Sequence, residues 1–448
     1  MLRRVSQSFK VGVERFLPNA FIFAIILTLI VMIMGITMTG ESLFGMVEHW
    51  YSGFWNFLAF TTQMILIIIT GYALVKAPIV QKWVQKGAKV PKTQKSAIII
   101  TMLVAAVGGF LSWGLGFVLG TLFAIEVAKN VQKADFRILI AAAYTATISI
   151  LPISITLTAP LLVNTPGHSL EEQIGLIPLT ETIFSPIMLF VALVGLVAVI
   201  FAYIKMMPKS DEVVPYQMKH DETAAGVETN PSIPVEDPTI ADRLDNSKIL
   251  NYIIVVLGFI WLFIYFSRNG FNLELNILNF GFIILGLALH GSPRSYVKSI
   301  TNAMPSAGGI VLQFPFYAGI MGMMIGSGLI VIISNSIVAI SNEFTFPFLS
   351  FLSASIVNIF VPSAGGQWQI QGPIMINAIQ QMGISPSVAV NTVSIGDVVT
   401  NLLQPFFVLP ALGLSGLGLK DIWGYCLVSL VILFVIGAVG VTFIPMIF

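Results

Sequence analysis

Two short polar, glycine-bearing interruptions fall at matching places in the two halves of a strongly apolar chain: Leu111-Ser112-Trp113-Gly114-Leu115-Gly116 and Val361-Pro362-Ser363-Ala364-Gly365-Gly366-Gln367-Trp368. A helix that unwinds in hydrocarbon strands its amides and carbonyls at high cost. Such a break survives only where protein, water or ligand satisfies those groups. Breaks repeated in corresponding positions of two halves point to a binding site near the bilayer midplane.

The rest of the chain supplies the membrane. Its 448 residues are 56% hydrophobic and 10% charged, against about 25% charged in ordinary soluble domains, and the mean hydropathy is +0.91. The expected fold class is an all-α polytopic membrane protein with about nine full spans of ordinary length, at 18–39, 56–75, 138–163, 183–204, 249–267, 276–290, 303–328, 388–413 and 422–447. Nothing in the pattern reads as a β-barrel. Arg3, Arg4, Lys10 and Arg15 precede a long first span without the cleavage site of a secretory signal, so 1–17 is expected to remain as a cytoplasmic segment. Cys426 is the single cysteine and the four histidines (49, 168, 220, 290) are scattered, which argues against disulfides, Cys-based metal clusters and a metal enzyme. A net charge of +1 gives no reason to invoke nucleic acid.

Lys and Arg favour the cytoplasmic side of short loops. With the N-terminus inside and the C-terminus outside, basic residues fall at 3–15, 76–95, 129–137, 205–248, 294–298 and 420, and of the 22 only Arg268 is left outside. Residues 96–126 then start and end in the cytoplasm, yet are too few for two crossings at about 1.5 Å per residue. They are expected to form a re-entrant helical hairpin, and 345–382 a second one entering from the opposite face. Interfacial arms at 77–86 and 329–342 precede the hairpins, and polar-studded spans follow them. The organisation is thus a first repeat 18–204, a soluble acidic, proline-bearing cytoplasmic linker 205–248, a connector span 249–267 and a second, inverted repeat 276–447 at an offset of about 250 residues.

Asp397 is the one carboxylate deep inside an expected span, where an ionisable group costs about 2.5–3.5 kcal/mol or more and marks a functional candidate. Asn391, Thr392, Ser394 and Asn401 surround it in sequence, and Gly396 and Pro405 suggest an interrupted helix. The matching span of the first half offers Thr145, Thr147 and Ser149 around Pro152, but no acid. A carboxylate with hydroxyl, amide and freed carbonyl oxygens suits a hard monovalent cation or a proton, leaving Na⁺ and H⁺ both open. At the tips, Ser112, Gly114 and Gly116 on one side and Ser363, Gly365, Gly366 and Gln367 on the other are candidates to present donors to an anion at helix starts. Trp113 and Trp368 are candidates to cover an apolar tail. Packing is the competing role for each hydroxyl, indole and glycine. With no Lys or Arg at midplane depth, a small monoanion fits better than a phosphate.

Phe16-Leu17-Pro18-Asn19-Ala20-Phe21-Ile22-Phe23-Ala24 followed by Leu27-Thr28-Leu29, the Trp113-Gly114-Leu115-Gly116 break, and above all the Pro362-Ser363-Ala364-Gly365-Gly366-Gln367-Trp368 tip resemble the AtoE family of short-chain fatty acid transporters, over essentially the whole chain. The resemblance implies an ion transporter superfamily fold in the bacterial cytoplasmic membrane. It also implies uptake of acetoacetate- or butyrate-like monocarboxylates, a homodimer on scaffold helices, and elevator-like hairpin movement. The Ser-Asn-Thr tip motifs of related dicarboxylate carriers are missing here. The competing solutes are another organic anion, a dicarboxylate or an aminobenzoyl-amino-acid. An intramembrane enzyme lacks a visible catalytic base, and a channel sits poorly with two dead-end hairpins.

Overall fold

The computed structural model describes residues 20–209, 212–216, 239–270, 272–360, 364–403 and 407–443. Residues 1–17, Ser363 with the rest of 361–363, Pro405, and most of the linker lie outside the described residues. Among the described residues every regular element is helical. The first half runs α1 (Ala20–Met34, extended by a π turn), α2 (Leu43–Phe54), α3 (Leu58–Lys76), α4 (Pro78–Gly87), α5 (Gln94–Leu111), α6 (Trp113–Asn130), α7 (Phe136–Ile150), α8 (Thr158–Val163), α9 (Glu171–Ile174) and α10 (Pro186–Lys205). Then follow α11 (Ile240–Asp245), α12 (Lys248–Asn269), α13 (Leu275–His290), α14 (Pro293–Ala303), α15 (Gly308–Gly326), α16 (Leu329–Ile340), α17 (Phe346–Phe360), α18 (Ala364–Met382), α19 (Pro386–Thr400), α20 (Leu409–Ser415) and α21 (Leu419–Thr442).

Seven helical stretches among the described residues are long and apolar enough to cross a membrane. The nine-span expectation differs at particular places. The stretch 138–163 is not one helix: α7 stops at Ile150, a 3-10 turn covers Leu151–Ile153, and α8 restarts at Thr158. Pro152 and Pro160 lack amide hydrogens, so neither donates to a continuing ladder. In the same way 388–413 divides into α19 and α20, and 276–290 is a 16-residue helix, shorter than a typical span.

The turn expected near Gly108–Gly116 is a single extended residue, Ser112 (φ −163°, ψ 135°), after which the chain doubles back. A Cβ on Gly116 would lie 2.6 Å from the Cα of Gly109, and one on Gly120 would lie 2.8 Å from the Cβ of Ala105, so α5 and α6 run antiparallel in close contact. In the second half the Gln367 amide donates to the carbonyl of Ala354 (2.9 Å) and Gln371 to Ser353 Oγ (3.1 Å), aligning α18 against α17.

Element order recurs at the 250-residue offset, with α3, α4, α5, α6 and α7 answered by α15, α16, α17, α18 and α19. The long helices cross between halves: α15 packs on α1 and α2, and α3 packs on α13 and α14. Burial then sorts the layers. In the α7–α8 stretch 94% of the hydrophobic window is buried, against 17% for the stretch containing α12, and Ser387 through Thr400 of α19 are all buried. The two broken helices are therefore the centre of the molecule and α12 its rim.

The linker expected as free chain is partly docked. Asp135, fully buried, caps α7 by accepting from Ile138 N (3.1 Å), pairs with Arg137 (2.8 Å) and accepts from Val214 N (2.8 Å). Phe136 N donates back to Val214 O (2.9 Å), and the Phe136 and Tyr216 rings meet edge to face. A carboxylate buried beside the α6–α7 turn needs donors, and residues 212–216 supply one. Asp135→Ala removes a helix cap and leaves Arg137 and the Val214 amide short of an acceptor. Thermal unfolding in detergent should show a loss of about 1–3 kcal/mol, with Asp135→Asn intermediate.

A candidate binding cavity between two broken helices

The interruption of α7 and that of α19 both line one cavity, and each is stitched to a neighbouring helix pair. On one side Ile155 N donates to the carbonyl of Phe110 (2.9 Å), at the end of α5, and Trp113 N donates to Thr156 Oγ1 (3.0 Å). On the other, fully buried Asn358 of α17 donates to Asp397 O (2.7 Å), Thr400 Oγ1 (3.0 Å) and Asn401 Oδ1 (2.9 Å). Tyr144 Oη of α7 donates to Asn401 O (2.6 Å), tying the two interruptions together. Carbonyls freed where α19 ends thus find side-chain donors, as backbone in an apolar interior requires.

Between these breaks lies a cavity of about 50 Å³, room for about four water-sized groups. Asp397, Asn401, Trp113, Thr156 and Thr158 give it polar groups; Met64, Leu151, Leu157, Ile310, Phe314, Val398 and Phe407 give it apolar walls; Ala364 and Gly365 bring in the first turn of α18. Among the described residues the lining contains no Lys or Arg. Both carboxylate oxygens of Asp397, Trp113 Nε1, and the buried hydroxyls of Ser112 and Ser394 have no hydrogen-bond partner among the described residues. Asp397 is 3% exposed. Ser394 precedes it by three residues and so shares its side of α19. A carboxylate, an indole N–H and hydroxyls thus share one small, largely apolar space.

The residues singled out in the sequence divide sharply in space. Trp113, Gly365, Asp397 and Asn401 meet at the cavity, and Ser112 stands at the start of α6 beside it, its hydroxyl making no capping bond. Gly114 and Gly116 lie at helix contacts, against Ile68 and against Gly109 with Thr147 respectively. Gly366 rests on the Tyr317 ring, Gln367 bridges α18 to α17 and Gln371, and Trp368 is 1% exposed, packed over Gly372. Thr145 pairs with Tyr203 Oη (2.7 Å), Thr147 and Ser149 bond back to carbonyls of α7, Thr392 bonds to Ser350 and Val388, and Asn391 donates to Glu181 O (3.0 Å). The structure does not bring these residues to the cavity.

Asn358 carried a sequence signal that went unused, an amide within an apolar arm just before the second break. Thr156 and Thr158 follow Pro152 in the same span as Thr145, Thr147 and Ser149, and residue type alone does not set them apart. Met64, Ile310 and Phe314 carried no signal, because apolar side chains in apolar helices read as core.

This is the fold of an α-helical membrane protein organised around a buried cavity between interrupted helices, and its likeness to solved structures is of that kind. It matches the Alcanivorax borkumensis YdaH transporter with TM-score 0.59 and 14% identity, over 95% of this chain and 98% of that one. It matches Neisseria gonorrhoeae MtrF, described with a class of antimetabolite efflux pumps, with TM-score 0.51 and 16% identity, over 96% and 95%. At such identities the likeness concerns fold alone. The chain belongs to the short chain fatty acid transporter family, whose profile matches residues 1–444. Relatives provisionally named short-chain fatty acid transporters include one from Escherichia coli K12, 39% identical over 99% of this chain and 100% of its own, and one from Haemophilus influenzae Rd, 37% identical over 98% and 99%.

Position separates packing glycines from cavity glycines, and mutation should follow it. Gly116→Ala would press its Cβ onto Gly109 and Thr147, so its effect should be a stability loss of about 1–3 kcal/mol. Thermal unfolding beside butyrate affinity, measured on the folded fraction, should find stability lowered and affinity kept.

Proposed function

We propose that this protein takes up short-chain monocarboxylates of acetoacetate or butyrate size as a secondary active symporter coupled to Na⁺ or protons. The observation that carries the reading is the Asp397 carboxylate, buried in the cavity wall with neither oxygen hydrogen-bonded among the described residues. A second carboxylate brought to about 4 Å from it would be repelled by about 4 kcal/mol at an effective dielectric of 20, roughly a thousandfold in affinity. A cation or proton on Asp397 removes that repulsion, so solute and co-ion bind together. The substrate carboxylate then takes hydrogen bonds from the Trp113 indole and the cavity hydroxyls, with its tail against apolar walls. The small volume favours a short monocarboxylate over an aminobenzoyl-amino-acid, and the absence of lining cations among the described residues favours it over a dicarboxylate.

The architecture we infer is two inverted repeats, 18–204 and 276–447, in a bacterial cytoplasmic membrane, N-terminus inside and C-terminus outside. The recurring element order, the reciprocal crossing of α3 and α15, and the basic-residue distribution support it. In this reading α5–α6 and α17–α18 are re-entrant hairpins that carry the broken helices in an elevator-like movement within a homodimer.

The test is uptake of labelled butyrate, acetoacetate and succinate into proteoliposomes under separately imposed Na⁺ and proton gradients. Asp397→Asn should yield folded protein that equilibrates butyrate but no longer accumulates it against a gradient. Accumulation and ion dependence equal to wild type in that variant would remove Asp397 from coupling.

A further inference from the structure

The lining divides by helix: α3 and α15 contribute only apolar side chains to it, whereas every polar group comes from the broken helices and the start of α6. Asp397, Asn401, Trp113 and Thr156 belong to the broken helices and the start of α6. Met64 belongs to α3, and Ile310 and Phe314 to α15. The two long helices that cross between halves thus supply an apolar wall.

That wall is backed by aromatic rings in a row. Phe314, 3% exposed, stacks on Phe60 of α3 with centroids 5.6 Å apart and planes 20° from parallel. Phe60 meets Phe57 edge to face, and Phe314 meets Tyr317 at 6.3 Å. The first turn of α18 lies directly on this row: a Cβ at Gly365 would come 2.8 Å from Phe60 Cζ, and one at Gly366 would run into the Tyr317 ring. Met64 closes the side next to Thr158, its sulfur 3.9 Å from the Thr158 hydroxyl. A close-packed stack cannot swing aside for a longer tail without repacking α3, α15 and α18 together.

We infer that Phe314, held by its stack on Phe60 and flanked by Met64 and Ile310, is the wall that limits the length of the acyl tail, so that this ring selects short-chain over medium-chain acids. The inference rests on the proposed carboxylate uptake, with the carboxylate toward Asp397 and Trp113 and the terminal methyl group toward α3 and α15. Each further methylene given room to be buried is worth about fourfold in affinity. Replacing the ring by a small side chain therefore favours hexanoate over butyrate by about tenfold or more, while a larger side chain at Ile310 favours acetate and propionate.

The experiment is competition by unlabelled acetate, propionate, butyrate, hexanoate and octanoate against labelled butyrate uptake, using full-length protein in proteoliposomes. Phe314→Ala is the principal variant, Phe314→Leu the milder one that keeps the helix contacts, and Ile310→Phe the filling one. The expected result is a hexanoate-to-butyrate ratio raised about tenfold in Phe314→Ala, raised less in Phe314→Leu, and lowered in Ile310→Phe. If Phe314→Ala does not fold, the opposite shifts of the other two decide. Folded Phe314 variants that take up butyrate with an unchanged hexanoate ratio overturn the wall. A wild-type protein that takes up none of these acids overturns instead the carboxylate reading beneath it.

Discussion

The structure depends on satisfying backbone groups where α7 and α19 stop in the middle of an apolar core. Each break is met by a neighbouring helix pair, through the Phe110 carbonyl on one side and the Asn358 amide on the other, and Tyr144 joins the two. Unmet, these groups would cost several kcal/mol apiece. The breaks and the helix pairs are therefore one unit: neither persists without the other, and the cavity is the space their junction leaves.

Placing an acid in that space makes charge the controlling quantity. Asp397 is engaged through its backbone carbonyl, which Asn358 holds, while its carboxylate is left to the cavity. The main chain is fixed while the carboxylate oxygens have no hydrogen-bond partner among the described residues, an arrangement costly for stability.

Small and hydroxylic residues do different work according to depth. Gly109 and Gly116 allow α5 and α6 to touch, and Gly366 seats α18 on Tyr317. Thr147, Ser149 and Thr392 bond back within their own helices, as hydroxyls in apolar helices commonly do. These residue types support close packing and ligand binding equally well, so composition alone does not separate the roles.

By itself the sequence determined the class of fold and the 250-residue recurrence of elements, and it singled out Asp397 as an isolated acid in an apolar span. Apolar run length, paired interruptions and an isolated acid each carry a large free-energy signature that is local in the chain. The splitting of 138–163 is only half legible, since Pro152 and Pro160 lie within it but the hydroxyls between them serve packing equally well. Only the tertiary structure decided that Trp113, Gly365, Asp397 and Asn401 share a cavity while Trp368, Gln367, Thr145 and Asn391 do not. It also decided that Asn358 holds the second break, that Asp135 draws residues 212–216 onto the α6–α7 turn, and that Met64 and Phe314 close the cavity. Those facts depend on which helix faces meet across some 250 residues of chain, and an apolar side chain has the same signature on a cavity wall as in the core.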